Sequence, residues 1–472
     1  MLRDQLPDKS AKYPDPVLGI NLRASDEDLQ PGEARFMKNL EFIDGLRSRP
    51  GSVLLTPTAL GTARITGGHK FYYANGLSKR LVAYEDKISV LSDLGIDSYL
   101  SITMTPNVDV HFETWRTTDK VYVCNGVDKL FEYDGAVWQS VDSLGGTTNV
   151  PNGCRMIKPV LDRLMALTLD GVIERSNPRV AHQWSNNSSW ATFRPALGGP
   201  FTAIHPHTLR STQGDLYPGL IATQANALYM ITGTNYGSDV TSGTASTGEN
   251  GAIKLIDPRI GTSSPYSLCT VPGVGVFGVS SDLNVWWLPF GEASPRIIGD
   301  KLRSPINGAV TGLESGNTAQ LSQIWMQYFD RRLILGFPVG ADTHCSVYFY
   351  LDMKSLVEFP QRGPVWYGPH TGFTVNRCWT ETQFSENALV GGEGQDATGA
   401  YVYRLMQNVD YDMVGAEQIE MRGDYKTFWH HFGAPSRAKY MPGVAFFGQY
   451  DSIPQISLHD LDSTIATGLE PV

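Results

Sequence analysis

Apolar and polar positions alternate along this chain in short runs, and the runs come in pairs. Tyr72-Tyr73-Ala74-Asn75-Gly76 leads into Leu81-Val82-Ala83-Tyr84, and the arrangement returns as Tyr122-Val123-Cys124-Asn125-Gly126 before Leu130-Phe131-Glu132-Tyr133. Each copy reads as strand, turn, strand, because Asn-Gly supplies the two positive-φ residues of a type I′ turn and so predicts an antiparallel hairpin. Asp134-Gly135 then leads to Val137-Trp138, a further run on the second copy. Leu220 to Thr223 with Leu228 to Ile231, and Val276 to Val279 with Val285 to Leu288, predict two more hairpins with polar tips. Asp162 to Leu167 is matched by Asp330 to Leu335, each a charged entry followed by a strand apolar on both faces. Val347 to Tyr350 before Val365 to Tyr367, Ala388 to Gly392 before Tyr401 to Leu405, and finally Val444 to Phe447 complete the series.

Units recurring every roughly 40 to 55 residues, each with a few short strands, have the period of propeller blades. A two-sheet sandwich of about 100 residues would be used up by two of them, yet the pattern continues. Radial stacking buries both faces of each small sheet, which accounts for Leu333 to Phe337 and Val444 to Phe447 lacking in–out alternation. The expectation is an all-β chain with a propeller of about seven blades, six to eight being permitted. It occupies residues 61–460, after an extended arm with a short helix over 1–60 and before a tail over 461–472.

The arm has its own chemistry. Ser25 or Asp26 can cap a short helix, and Glu27 and Asp28 suit the positive end of its dipole. Pro31-Gly32 interrupts it, and Ala34, Met37, Lys38 and Glu41 permit a second turn or two with Phe36, Leu40 and Ile43 on one side. Asp44-Gly45 is a tight-turn signal, after which Leu46 to Arg49 leaves as an extended segment that Pro50-Gly51 stops. On such an edge Arg47 and Arg49 are either solvated charges or partners for carboxylates of a neighbouring subunit.

Composition supports short strands: 48 glycines, 28 prolines, 21 tyrosines and 10 tryptophans accompany only 18% charged residues. Thirty-eight basic against 48 acidic side chains leave a net charge of −10, which disfavours a surface that holds nucleic acid by neutralising phosphates. Five cysteines, Cys124, Cys154, Cys269, Cys345 and Cys378, are scattered without Cys-x-x-Cys spacing and read as buried free thiols of a protein assembled in a reducing cytoplasm. Met1 to Asp15 is polar and lacks the apolar core of a signal peptide. No run approaches the roughly 20 apolar residues of a membrane-spanning helix.

Candidate chemistry is sparse. His205-Pro206-His207 sets two imidazoles on one side of an extended segment, and His430-His431 follows Phe428-Trp429, but no adjacent Cys or Glu completes a metal-ligand set. The sequence contains no nucleophile elbow, phosphate-binding loop or zinc-protease motif. Glu113, Asp282, Asp352 and Glu393 are among the carboxylates that a propeller centre can pair for glycoside hydrolysis, which requires a set separation that sequence does not define. Gly233 to Gly251 contains almost nothing that can be buried: it is a surface insertion, or a segment ordered against a neighbouring subunit or a central opening.

The order of parts in the arm is its most informative feature. Gly19 and Asn21, the acidic segment, Glu33-Ala34, Asn39, and the closing Leu46-Arg47-Ser48-Arg49-Pro50-Gly51 together resemble the N-terminal region of tail proteins of double-stranded DNA bacteriophages. Closest in kind are the β-propeller tail nozzle, tail hub and packaged-DNA stabilisation proteins of short-tailed phages. The resemblance covers the arm most clearly and the repeats more loosely, including Phe428-Trp429-His430-His431-Phe432-Gly433-Ala434-Pro435. It implies a structural virion protein without catalytic residues, cofactor or metal. Such a protein assembles in the host cytoplasm as a homohexameric ring, meets an adaptor or connector protein above and fibre, spike or needle proteins below, and encounters DNA only in transit. Gly19, Asn21, Asn39, Arg47, Arg49, Pro50 and Gly51 are the positions to which the resemblance assigns assembly. The alternative is a propeller that binds or cleaves carbohydrate during host adsorption.

Overall fold

The computed structural model describes residues 16–427 apart from 25–27, 43–44, 92–95, 99–101, 146–148, 185–191, 194, 196–198, 212, 233–251, 303–317, 373, 384–385 and 396–398; beyond these it describes only 458–459 and 464–465. Among the described residues, seven antiparallel sheets follow one another in a ring, six of four strands and one, which begins at Cys154, of five. Blades 1 to 6 begin with the inner strands Ile65–Tyr72, His111–Trp115, Cys154–Val160, Ala203–Arg210, Cys269–Val271 and Trp325–Phe329. Blade 7 begins with Val375–Gln383 and continues through Glu386–Glu393 and Val402–Gln407. Its fourth strand is Gly51–Leu54, from the other end of the chain, paired antiparallel with Val402–Gln407. The protein is therefore an all-β seven-blade propeller whose last sheet is completed by its N-terminal portion. Leu458–His459 and Thr464–Ile465 form a separate small hairpin in a second compact unit.

Each blade follows from the apolar runs. Ile65–Tyr72 pairs with Ser78–Tyr84, Lys120–Cys124 with Phe131–Tyr133, Leu216–Thr223 with Leu228–Thr232, and Gly275–Val279 with Val285–Pro289. Arg163–Thr168 and Arg332–Phe337 are buried at every position, as their apolar pattern predicts. The Asn-Gly turns differ from the expected type: Gly76 and Gly126 have positive φ but the asparagines before them do not. Instead Asn75 Oδ1 accepts from the Leu77 N–H and Asn125 Oδ1 from those of Val127 and Asp128. A side chain that imitates a backbone carbonyl in this way makes a wider turn than type I′.

Aromatic and branched side chains fill the gaps between blades. Phe71, Val121 and Tyr133 pack between blades 1 and 2, and Trp115, Tyr122, Leu164 and Trp184 between blades 2 and 3. The largest cluster runs from blade 5 to blade 7 and takes in Ile20, Leu22, Ala34 and Met37 from the arm. Ring closure between blades 7 and 1 combines apolar and ionic contacts. Trp379 lies so close over Gly68 that a Cβ there would meet its ring at 2.3 Å. Beside it the buried Arg80 guanidinium donates twice to Glu381, at 2.6 Å each, and Lys70 lies 3.8 Å from the same carboxylate.

The arm departs from expectation. Ala34–Lys38, read as helical, is a strand paired with Asp424–Thr427, and Leu40–Phe42 pairs with Leu46–Ser48. Strand pairing supplied from far along the chain has overridden a weak local helix preference. Pro50-Gly51 does not end the extended segment but opens the closing strand, so the ring of sheets begins at Gly51 and not at residue 61. Among the described residues the one α-helix is Met353–Glu358, capped by the Asp352 carboxylate accepting from the Lys354 N–H at 2.9 Å, and no helix is long and apolar enough to cross a membrane. The proposed helix cap at Ser25 or Asp26, the strand Val444 to Phe447, the Phe428 to Pro435 segment and the stretch Gly233 to Gly251 lie outside the described residues.

Replacing Glu381 by Ala leaves two buried cations without their carboxylate, a change that costs about 3–5 kcal/mol. Urea unfolding of Glu381→Ala should show that loss, and the double change Arg80→Met with Glu381→Leu should recover most of it. A loss below about 1 kcal/mol in the single variant would mean that the pair does not hold the seam.

Candidate functional site

The seven arm positions singled out above converge on a clasp against blades 6 and 7. Gly19, at φ +68°, leaves room for the backbone of blade 6: a Cβ would fall 2.3 Å from the Trp366 carbonyl oxygen. The next residue donates its N–H to that oxygen at 2.8 Å. Asn21 donates from Nδ2 to Glu33 at 3.0 Å, and Lys301 pairs with the other Glu33 oxygen at 2.9 Å. Burial alone would raise the Glu33 carboxyl, but bonds from Lys301, Asn21 and the Gln30 backbone outweigh it and hold the group below its ordinary value.

Asn39 and Arg49 form the centre of the clasp. Asn39 sits at φ +54°, a left-handed conformation that asparagine tolerates better than most residues. Its Oδ1 accepts from Arg49 Nε at 3.1 Å and from the Thr371 N–H at 2.8 Å, while Nδ2 donates to the Arg422 carbonyl at 3.1 Å. The Arg49 side chain is fully buried, and its remaining N–H groups reach both Asp412 oxygens, the Thr371 carbonyl at 2.6 Å and the Pro50 carbonyl at 2.9 Å. All five donors of the guanidinium fork thus have acceptors. Gly51 completes the turn into blade 7, where a Cβ would lie 2.0 Å from the Tyr411 carbonyl oxygen.

Arg47 is half exposed and donates to Glu41 Oε1 at 2.9 Å. Glu41 is itself fully buried and also receives the Arg332 guanidinium of blade 6, at 2.8 and 3.0 Å. Within this chain Glu41 takes Arg47 and Asp412 takes Arg49, and Arg49, being buried, is not a solvated edge charge. Sequence reasoning missed Glu41, Asp412 and Arg332. The available signal was a single acid between two large apolar residues, Leu40-Glu41-Phe42 and Tyr411-Asp412-Met413, which in a strand places the charge on one buried face. A cavity of about 420 Å³ opens beside the clasp between Lys38, Asn39, Asp412, Ile419 and Arg422.

The inner strands bring a second polar group to the axis. Lys158 Nζ pairs with Glu113 at 2.5 Å, and His111 Nε2 donates to the Ile157 carbonyl at 3.0 Å. His69 bonds Thr114 Oγ1 at 2.7 Å and His205 bonds Thr270 Oγ1 at 2.6 Å. His207 donates to the Glu292 carbonyl at 3.0 Å, so the His-Pro-His pair links blades 4 and 5. Where the inner strands begin, Arg377 pairs with Asp109 and stacks 4.0 Å from the Tyr266 ring centre. Burial, reinforced by Lys158, lowers His69 to about 4 and His205 to about 3, and pushes His111 well below its ordinary value.

These groups bond one another across the axis. Among the described residues no three His, Cys, Asp or Glu side chains converge on a point that could hold a metal. Glu113, Asp282, Asp352 and Glu393 do not meet: they lie on blades 2, 5, 6 and 7, and Glu393 is enclosed by bonds from Thr374, Tyr403 and three backbone N–H groups. The five cysteines are buried free thiols. His430 and His431 lie outside the described residues.

No protein-family model and no curated protein matches the chain. Solved structures align at low identity. BBS1N in complex with ARL6DN aligns with 12% identity and a TM-score of 0.43, over 76% of this chain and 98% of that one. YCF48 bound to D1 peptide gives 10% and 0.40 over 78% and 98%, and the computationally designed Ika8 protein gives 12% and 0.37 over 82% and 98%.

Two outcomes are expected. Asn39→Ala removes three hydrogen bonds and the side chain that tolerates positive φ, and should cost about 3 kcal/mol in urea unfolding. Acid should weaken the fold through the axial histidines. Unfolded histidines titrate at about 6.5, whereas His69 and His205 resist protonation until about 4 and about 3. Above pH 6.5 neither state binds the proton and stability is full; below it the unfolded state gains protons first, so stability falls with pH through that window. Melting temperatures measured from neutral to mildly acid buffer should fall, and His69→Gln with His205→Gln should flatten the trend.

Proposed function

We propose that this chain is a structural subunit of a bacteriophage tail, a nozzle or hub protein that forms a ring, closes the DNA channel after packaging and lets DNA leave at ejection. The observation that carries the reading is the ordered set from Gly19 to Gly51, which resembles the corresponding stretch of such tail proteins and here clasps a seven-blade propeller shut. A clasp of this kind gives a rigid block suited to bearing load through its faces. Its partners would be further copies in a homohexameric ring, an adaptor or connector protein above, and fibre, spike or needle proteins below.

DNA would pass through an opening between copies and not through the axis of one propeller. That axis is occupied by the Lys158–Glu113 pair, the Arg377–Tyr266 stack and the imidazoles between them. A duplex whose major groove alone is about 12 Å wide cannot enter a space so filled. The net charge of −10 suits walls that leave DNA free to slide.

Electron microscopy and sedimentation of the purified full chain test this. Closed rings of copies are expected, with no turnover of host surface polysaccharide. A chain that stays monomeric at high concentration and cleaves polysaccharide at enzymatic rates would replace the structural reading with the adsorption one.

A further inference from the structure

His370 ends the outer strand Trp366–His370 of blade 6, directly beneath the clasp, and is fully buried. Its ring centre lies 4.2 Å from that of Tyr350. Among the described residues neither ring nitrogen has a hydrogen-bond partner, and neither does the Tyr350 hydroxyl. A buried polar group left without a partner is uncommon and costly, so it calls for a physical reason. The reason lies in its neighbours.

Two cations lie near this ring, and two carboxylates lie near the phenol stacked on it. Arg49 of the arm and Arg332 of blade 6 act on it directly, and its stacking partner Tyr350 feels both of these together with Glu41 of the arm and Asp412 of the hairpin that follows blade 7. The charges already balance. Arg49 is bonded to Asp412, and Arg332 to Glu41, with Arg47 and Asp330 at the margin. A neutral imidazole fits among them. An imidazolium would be a third cation in a dry space whose carboxylates are taken, and a buried charge without a partner is tolerated only if water reaches it.

We propose that His370 is an acid-operated latch: its protonation lifts the hairpin strands Leu40–Phe42 and Leu46–Ser48 from blade 6, admitting water to the ring while the blades stay folded. The hairpin opens first because Leu40 and Phe42 are only partly buried against the core and Leu46–Ser48 is exposed throughout, whereas the blades are sealed to one another by fully buried apolar clusters. Burial, followed by Arg49 and Arg332, keeps the closed-state imidazole neutral well below its ordinary value, which sets the sign. Once open, the ring titrates normally and proton uptake favours the open state. This latch does not depend on the tail reading: it follows from the clasp alone.

Amide hydrogen exchange on the full chain at neutral pH and at about pH 5, corrected for the intrinsic pH dependence of exchange, tests it. With an open-state histidine titrating at about 6.5, opening at pH 5 should be favoured about 30-fold, and protection of Leu40–Phe42 and Leu46–Ser48 should fall by that factor relative to the inner strands. His370→Phe keeps a ring against Tyr350 but cannot titrate, and His370→Asn is a second non-titrating form; in both the acid response of these strands should vanish. The proposal is overturned if wild-type protection in the two hairpin strands is unchanged by acid. It is overturned equally if hairpin and inner strands loosen together, or if a folded non-titrating variant keeps the full response. The wild-type comparison decides even where neither variant folds.

Discussion

A single buried guanidinium organises the way this chain closes on itself. Arg49 has no route to water, so its charge must be met by acceptors within the protein. Those acceptors come from four places: Asn39 and Pro50 beside it, Thr371 after blade 6, and Asp412 after blade 7. Satisfying one side chain therefore fixes the arm, the exit of blade 6 and the segment beyond blade 7 in one arrangement. The closing strand begins two residues later, so the bonds that hold Arg49 also hold the start of its pairing with Val402–Gln407. A lysine in place of Arg49 could not do this, because three rotating donors on a point charge cannot reach five fixed acceptor atoms on four residues.

The axis and the seams repeat the same logic at lower stakes. Inner strands of a propeller bring polar residues into a narrow space, and here charges are met across blades: Lys158 by Glu113, Arg377 by Asp109 in the link from blade 1 to blade 2, and, at the seam, Arg80 by Glu381. Such pairs fix which blade follows which, while the apolar clusters between blades supply the bulk of the favourable free energy. The centre is thereby a structural knot of side chains, with the imidazoles held neutral by burial, and its role is to keep seven small sheets in register.

How much of this could be read in advance depends on the sequence distance between partners. Hairpins such as Leu220–Thr223 with Leu228–Ile231 were legible because both strands and the turn lie within a dozen or so residues, and alternation or continuous apolarity marks each strand. Ala34–Lys38 was not, since nothing in Ala-Arg-Phe-Met-Lys points to Asp424–Thr427, and the residues themselves tolerate a helix. The clasp motif was visible as a string of residue types. That Arg49 would face inward, and that Asp412 would meet it, required knowing that Pro50-Gly51 feeds a blade and does not terminate a segment. His370 gave no local sign at all: a histidine after Gly-Pro looks like a turn residue until blade 6 and the arm enclose it.

Completing the last sheet with the first strand has a consequence for biosynthesis. Val53 meets Arg404, about 350 residues later, so the ribosome delivers the finishing piece long before the edge that receives it exists. Joining ends that far apart costs about 5 kcal/mol of chain entropy if the intervening residues are still unstructured. It costs far less if blades 1 to 6 have already condensed in order of emergence, each a local meander that brings the two ends progressively nearer. Until then the newborn protein carries an unfinished margin at either end, open to pairing with another nascent chain, and vectorial synthesis on a single ribosome is what keeps the two correct margins nearest each other.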